Sequence, residues 1–224
     1  VAAPADGPFF ERFRRAGVET HALALNRLNP FTLARLCRLA RESGARLIHS
    51  HGKGPGLYGR LAGRLLGIPA IHTFHGIHYQ DYPPIRRRLY LALERWLARL
   101  TRTAICLSRA QEREALALRL APPSRSVVIP NGIDVAELDA LVGAHAVPRN
   151  ALGLGADDSV VGSVARFDAV KGLDILLEAV HHLQARVPRL RLVLVGDGPE
   201  ATRLRRLAEA LGLGSVVTFA GMIE

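Results

Sequence analysis

Lysine is nearly missing from this sequence: of 30 basic side chains only Lys53 and Lys171 are lysines, and the other 28 are arginines. Aromatic residues make up only 5%, with a single tryptophan. That leaves no stacking platform for bases and argues against a nucleic-acid partner in spite of the basic charge. Cysteine is scarce as well. Cys37 and Cys106 are too few and too far apart for a disulfide framework or a metal knuckle, which suits a reducing cytoplasm. No apolar run approaches the roughly 18 residues of a membrane span, and no stretch reads as a signal peptide. Low-complexity tracts and fixed-period repeats are missing too.

Hydrophobic residues, at 49%, suffice for a buried core, and the formal net charge of +10 calls for an anionic partner such as a phosphate compound or an acidic membrane. Both lysines fall in glycine-flanked turns, His51-Gly52-Lys53-Gly54 and Arg166-Phe167-Asp168-Ala169-Val170-Lys171-Gly172. A compact ammonium on a flexible stem reaches a phosphate or sugar oxygen where a planar guanidinium does not fit. The chain starts at Val1 rather than Met and stops at Glu224 just past an apolar strand, which predicts a piece cut at both ends.

Strand-like and helix-like stretches alternate. Strands are predicted over 18–25, 47–50, 69–74, 103–107 and 126–129, and after the polar stretch 143–158 over 160–165, 190–195 and 216–219. Helices fall between them. The one over 31–42 has Phe31, Leu36, Leu39 and Ala40 on one side. That over 85–100 has Leu89, Leu93, Trp96, Leu97 and Leu100 inward, and the helix after Gly54 repeats Leu57, Leu61, Leu65 and Leu66. Ser108 with Gln111, and Asp134 with Glu137, read as N-terminal caps. The pattern predicts an α/β chain with parallel sheets in two domains, 1–150 and 151–224. In such sheets ligands bind beyond the carboxyl ends of the strands, where the glycine turns fall.

The strand at 160–165 runs into Arg166 and then into Lys171-Gly172 at a helix start, an anion site suited to a diphosphate. No Gly-Lys-Ser/Thr follows a strand, so it is not a P-loop. Gly196-Asp197-Gly198-Pro199 follows another strand and lets a ligand approach the backbone closely. His49, His51, His72, His75 and His78 cluster after two successive strands. A zinc site is disfavoured because no carboxylate or cysteine shares their spacing and the positions alternate across strand faces. His51 and His75 lie where strands run out into loops, placed to bond hydroxyls or shuttle a proton, whereas His49 and His72 read as structural. The arginines at 86, 87, 88, 95, 99 and 102 form a basic helix face, readable as a solvated surface or as a contact with anionic lipid headgroups.

Six stretches carry a family likeness: IHSHGKGPGLYGRLAGRLLGIPAIHTFHG, AICLSRAQ, VIPNGID, GSVARFDAVKGLDILLEA, LVLVGDGPE and VTFAG. In this set the chain resembles GT-B glycosyltransferases of family 4, with two Rossmann-like domains facing a cleft. The first stretch looks most like the branch acting in bacterial capsular or exopolysaccharide assembly. The resemblance implies retaining, metal-independent transfer of a sugar from a nucleotide-sugar to a glycan or lipid-linked acceptor. It assigns Arg166 and Lys171 to the donor diphosphate, Gly196 and Gly198 to the loop beside the nucleotide, and His75-Gly76 to contact with the donor sugar and positioning of the acceptor. Gly52, Lys53 and His51 fall on the acceptor side, and Asn131 matches a structural turn. It implies no cofactor and no metal. The expected location is the cytoplasm, peripherally at the inner face of the membrane. A glycine-rich loop is expected before Val1 and paired glutamates after Glu224. Both domains are therefore expected to be incomplete here, and this stretch by itself is expected not to turn over. A sugar-nucleotide epimerase, a phosphorylase-like enzyme and a non-catalytic GT-B-like partner subunit are the competing readings.

Overall fold

The structure, a computed structural model, describes the chain apart from residues 6, 7, 26–28, 78, 81, 145, 146 and 224. By compactness it divides into two units, Val1–Gly132 and Ile133–Glu224.

In the first unit β1 (Ala2–Ala3) pairs in parallel with β2 (His21–Ala22), and α1 (Pro8–Arg15) joins them. After α2 (Pro30–Glu42) comes a four-stranded sheet of β3 (Ile48–His51), β4 (Ala70–Phe74), β5 (Thr103–Cys106) and β6 (Ser126–Val128), in that order and parallel throughout. The crossovers run through α3 (Lys53–Leu66), α4 (Pro84–Arg99) and α5 (Arg109–Ala117). Asn29 caps α2 and Ser108 caps α5, each with a side-chain oxygen accepting a backbone N–H of the first turn. Gln111 closes the second cap by accepting from the Leu107 N–H.

The predicted strand over 18–25 is realised only at His21–Ala22. Phe31 points outward, and Leu33, Leu36 and Leu39 of α2 instead pack against Leu23, Leu25 and Tyr58. α3 meets the sheet through small residues rather than through its leucines. Gly56, Gly59 and Gly63 recur at helical spacing on the buried face, while Leu65 is exposed. A Cβ on Gly59 would lie 2.9 Å from the Ser50 Cβ, and one on Gly63 would lie 2.8 Å from the Ile68 carbonyl oxygen. The helix thus sits closer to β3 and β4 than leucines would permit.

α4 differs most from its prediction. Its inward residues are Leu91, Glu94, Leu97 and Ala98, whereas Leu89, Leu93 and Trp96 face solvent. Glu94 is buried because Arg60 of α3, fully buried itself, donates to it at 2.9 Å. Rotating the helix to bury the three outward residues would break that pair and strand a charge in the core.

The second unit opens with α6 (Val135–Ala144), capped by Asp134. Its sheet is β7 (Ser159–Val164), β8 (Leu190–Val195) and β9 (Val217–Gly221), in that order and parallel. α7 (Leu173–Leu183) and α8 (Ala201–Ala210) bury Leu177, Val180 and Leu204 against Leu192 and Leu194 of the central strand.

Candidate functional site

In the second unit the chain leaves β7 at Val164 and reaches α7 at Leu173, so Arg166 and Lys171 share the loop at the carboxyl end of the sheet. Buried Phe167 anchors that loop: its N–H donates to the Asp197 carbonyl at 2.9 Å, and its carbonyl accepts from the Glu200 N–H at 3.0 Å. The flanking Arg166 is therefore turned out, 71% exposed, with its Nε 3.2 Å from Asp168. Lys171 ends a short 3-10 turn, is exposed, and forms no ion pair with any described residue. Gly172 follows at φ +62°, a conformation that favours glycine, and starts α7. Two exposed cations and the start of a helix thus lie on one loop.

Gly196 and Gly198 have a purpose inside the chain. A Cβ on Gly196, at φ +131°, would lie 2.0 Å from the Ala165 carbonyl oxygen, and one on Gly198 would lie 2.6 Å from that of Phe167. The close approach predicted for this turn is made by the chain's own backbone. The turn after β8 thereby holds the loop that carries Arg166.

In the first unit the histidines sort by strand face. His72 is buried under α3, its Nδ1 3.1 Å from the Ser50 hydroxyl. Burial and then the Arg60 guanidinium pull its pKa down to about 3, so its imidazole is neutral. On the other face His49 Nε2 lies 2.8 Å from Thr73 Oγ1, and His51 Nδ1 lies 2.9 Å from His75 Nε2. The last pair shares one proton between two rings at the carboxyl ends of β3 and β4. Burial, then His49 and His75, lower the His51 pKa. Gly76, at φ +122°, turns the chain away just past His75. His78 lies outside the described residues.

Gly52, at φ +73°, starts α3 and donates its N–H to the Thr73 carbonyl. This places Lys53 at the first turn of the helix. Its ammonium donates to the Tyr82 hydroxyl at 2.8 Å and sits 4.7 Å from the ring centroids of both Tyr82 and Tyr90. Sequence reasoning missed these tyrosines; the nearest signal was the aromatic pair of the Tyr79–Tyr82 segment, out of place in a chain so poor in aromatics. The structure brings together His51 and His75, and separately Arg166 with the loop held by Gly196 and Gly198. Lys53 belongs to the tyrosine cluster.

The sequence profile of Glycosyltransferase Family 4 matches residues 1–137, and that of Glycosyl transferases group 1 matches residues 147–224. EpsF of Bacillus subtilis (strain 168), named as a glycosyltransferase, is 33% identical over 206 residues, covering 90% of this chain and 53% of EpsF. An Escherichia coli protein named UDP-Gal:alpha-D-GlcNAc-diphosphoundecaprenol alpha-1,3-galactosyltransferase is 28% identical over 171 residues, covering 75% of this chain and 44% of its own length. The chain therefore spans about half the length of the curated relatives it matches. Among solved structures, Anabaena Alr3699/HepE in complex with UDP and glucose superposes with a TM-score of 0.80 at 23% identity, covering 100% of this chain and 61% of HepE. Both sheets, their order of strands and helices, and the profile matches lead to one statement: the chain belongs to glycosyltransferase family 4 and has the α/β, parallel-sheet architecture of the GT-B fold.

Proposed function

We propose that the protein is a retaining, metal-independent glycosyltransferase that moves a sugar from a nucleotide-sugar to a glycan or lipid-linked acceptor in cell-surface polysaccharide synthesis. The observation that carries this reading is the mouth of the second sheet, where Arg166 and Lys171 lie exposed on one loop at the start of α7. Two exposed cations there would neutralise the diphosphate as the sugar–oxygen bond breaks, which is the charge a divalent metal would otherwise balance. Gly196 and Gly198 would act beside the nucleotide by holding that loop.

His75 would contact the donor sugar, with Gly76 giving it room and His51 oriented by the bond the two rings share. Gly52 and Lys53 would lie on the acceptor side, the ammonium and the Tyr82 hydroxyl together receiving an acceptor phosphate. The name of the E. coli relative, with its UDP-sugar donor and diphosphoundecaprenol-linked acceptor, supports both halves of the reading. Work at the inner face of the membrane fits the arginines of α4 and such an acceptor. Among the described residues no helix is long and apolar enough to cross a membrane. The epimerase and partner-subunit readings are not favoured, since the relatives are named as transferases.

Calorimetric titration of the protein with UDP and other nucleoside diphosphates tests the reading. Lys171→Ala should weaken binding by about 1.5–3 kcal/mol, the range for charged hydrogen bonds. Unchanged affinity would overturn it.

A further inference from the structure

The solvent face of α4 is apolar along its centre. Ile85 is 77% exposed, Leu89 67%, Leu93 41% and Trp96 45%, and their spacing of three and four residues puts them on one stripe. Apolar surface of this extent on a basic helix marks a contact, because water gains nothing from it. The sole acidic residue of the helix, Glu94, is turned inward onto Arg60, so the outward face carries no negative charge of its own.

Arginines line one side of the stripe. Arg87, Arg88 and Arg95 border a hollow beside Ile85, and a second hollow runs between Arg95, Arg99, Arg119 and Arg125. Arg95 and Arg125 are steadied by the carbonyls of Leu118 and Thr101, which hold their guanidinium groups at the rim. An apolar stripe with a cationic margin matches one occupant best, the headgroup and acyl boundary of an anionic bilayer. A second copy of the same face would set arginine against arginine.

We infer that α4 is the membrane-docking element, lying in the plane of an anionic bilayer surface with Ile85, Leu89, Leu93 and Trp96 among the acyl chains and the arginine hollows on the lipid phosphates. This deepens the proposed membrane-face reading: insertion of the stripe adds a salt-resistant component that headgroup attraction alone lacks.

Trp96 is the single tryptophan of the sequence and reports on its own surroundings. Vesicles of phosphatidylcholine with phosphatidylglycerol should shift its emission to the blue and shield it from acrylamide, and pure phosphatidylcholine should do so weakly. Leu89→Ser with Leu93→Ser should lower vesicle affinity at least about tenfold at high salt. Arg88→Ser with Arg99→Ser should remove the salt-sensitive part. These side chains are exposed, and unchanged thermal unfolding and nucleoside-diphosphate affinity would verify that the variants fold. Emission indifferent to anionic vesicles would overturn the inference, as would serine variants that bind like the parent. So would a Trp96 already shielded without lipid, which would mean that protein covers the face. Vesicle binding without any nucleotide binding would leave the docking inference standing and sink the transferase reading.

Discussion

Arg60 donates to Glu94 at 2.9 Å with both side chains withdrawn from solvent, on the face of α4 that also buries Leu91, Leu97 and Ala98. Arg60 also donates to the Gly56 carbonyl through Nε at 2.7 Å, which anchors the guanidinium within α3.

Removing one partner leaves the other charged and buried. Glu94→Ala should cost about 3–5 kcal/mol in urea unfolding, while Arg60→Met combined with Glu94→Leu should recover most of it. If the double variant is as unstable as the single one, the pair is not what orients α4.

His72 should make stability depend on pH in a defined window. Its folded pKa of about 3 lies below the ordinary 6.5, so above pH 6.5 both folded and unfolded chains carry it neutral. Below 6.5 the unfolded chain gains a proton that the folded one refuses, and stability falls by up to about 1.4 kcal/mol per pH unit until about pH 3. Urea titrations over that window should give a flatter profile for His72→Asn. A profile as steep as the parent's would refute the assignment.

Asp168 competes with any anion for Arg166, to which it is paired at 3.2 Å. Asp168→Asn should therefore tighten nucleoside-diphosphate binding, by roughly threefold to tenfold at low salt, with the gain fading as salt rises. Weaker binding in the variant would mean that the carboxylate positions the arginine rather than distracting it.

Much of this was legible in the sequence because its signals are local. The alternation of strands and helices, the Ser108 and Asp134 caps and the glycine turns after strands each depend on residues a few positions apart. The outward face of α4 was not legible, because the residue that decides it, Arg60, lies 34 positions from Glu94. Periodicity assigned Leu89 and Trp96 to the core and gave no reason to bury a glutamate. The packing of α3 was missed for a related reason: hydrophobic spacing finds leucines, while the contact is made where side chains are missing, at Gly56, Gly59 and Gly63. At the candidate sites, the loop with Arg166 and Lys171 could be placed from sequence. The tyrosines that hold Lys53 and the ring-to-ring bond between His51 and His75 depend on pairings across 24 to 37 positions.

The backbone contact of Gly196 and Gly198 with the segment Ala165–Phe167 makes two separate loops behave as a single part. Any substitution that reshapes one of these loops therefore disturbs the backbone of the other. A graft of the Arg166 loop alone would bring in a cationic segment without the template that shapes it.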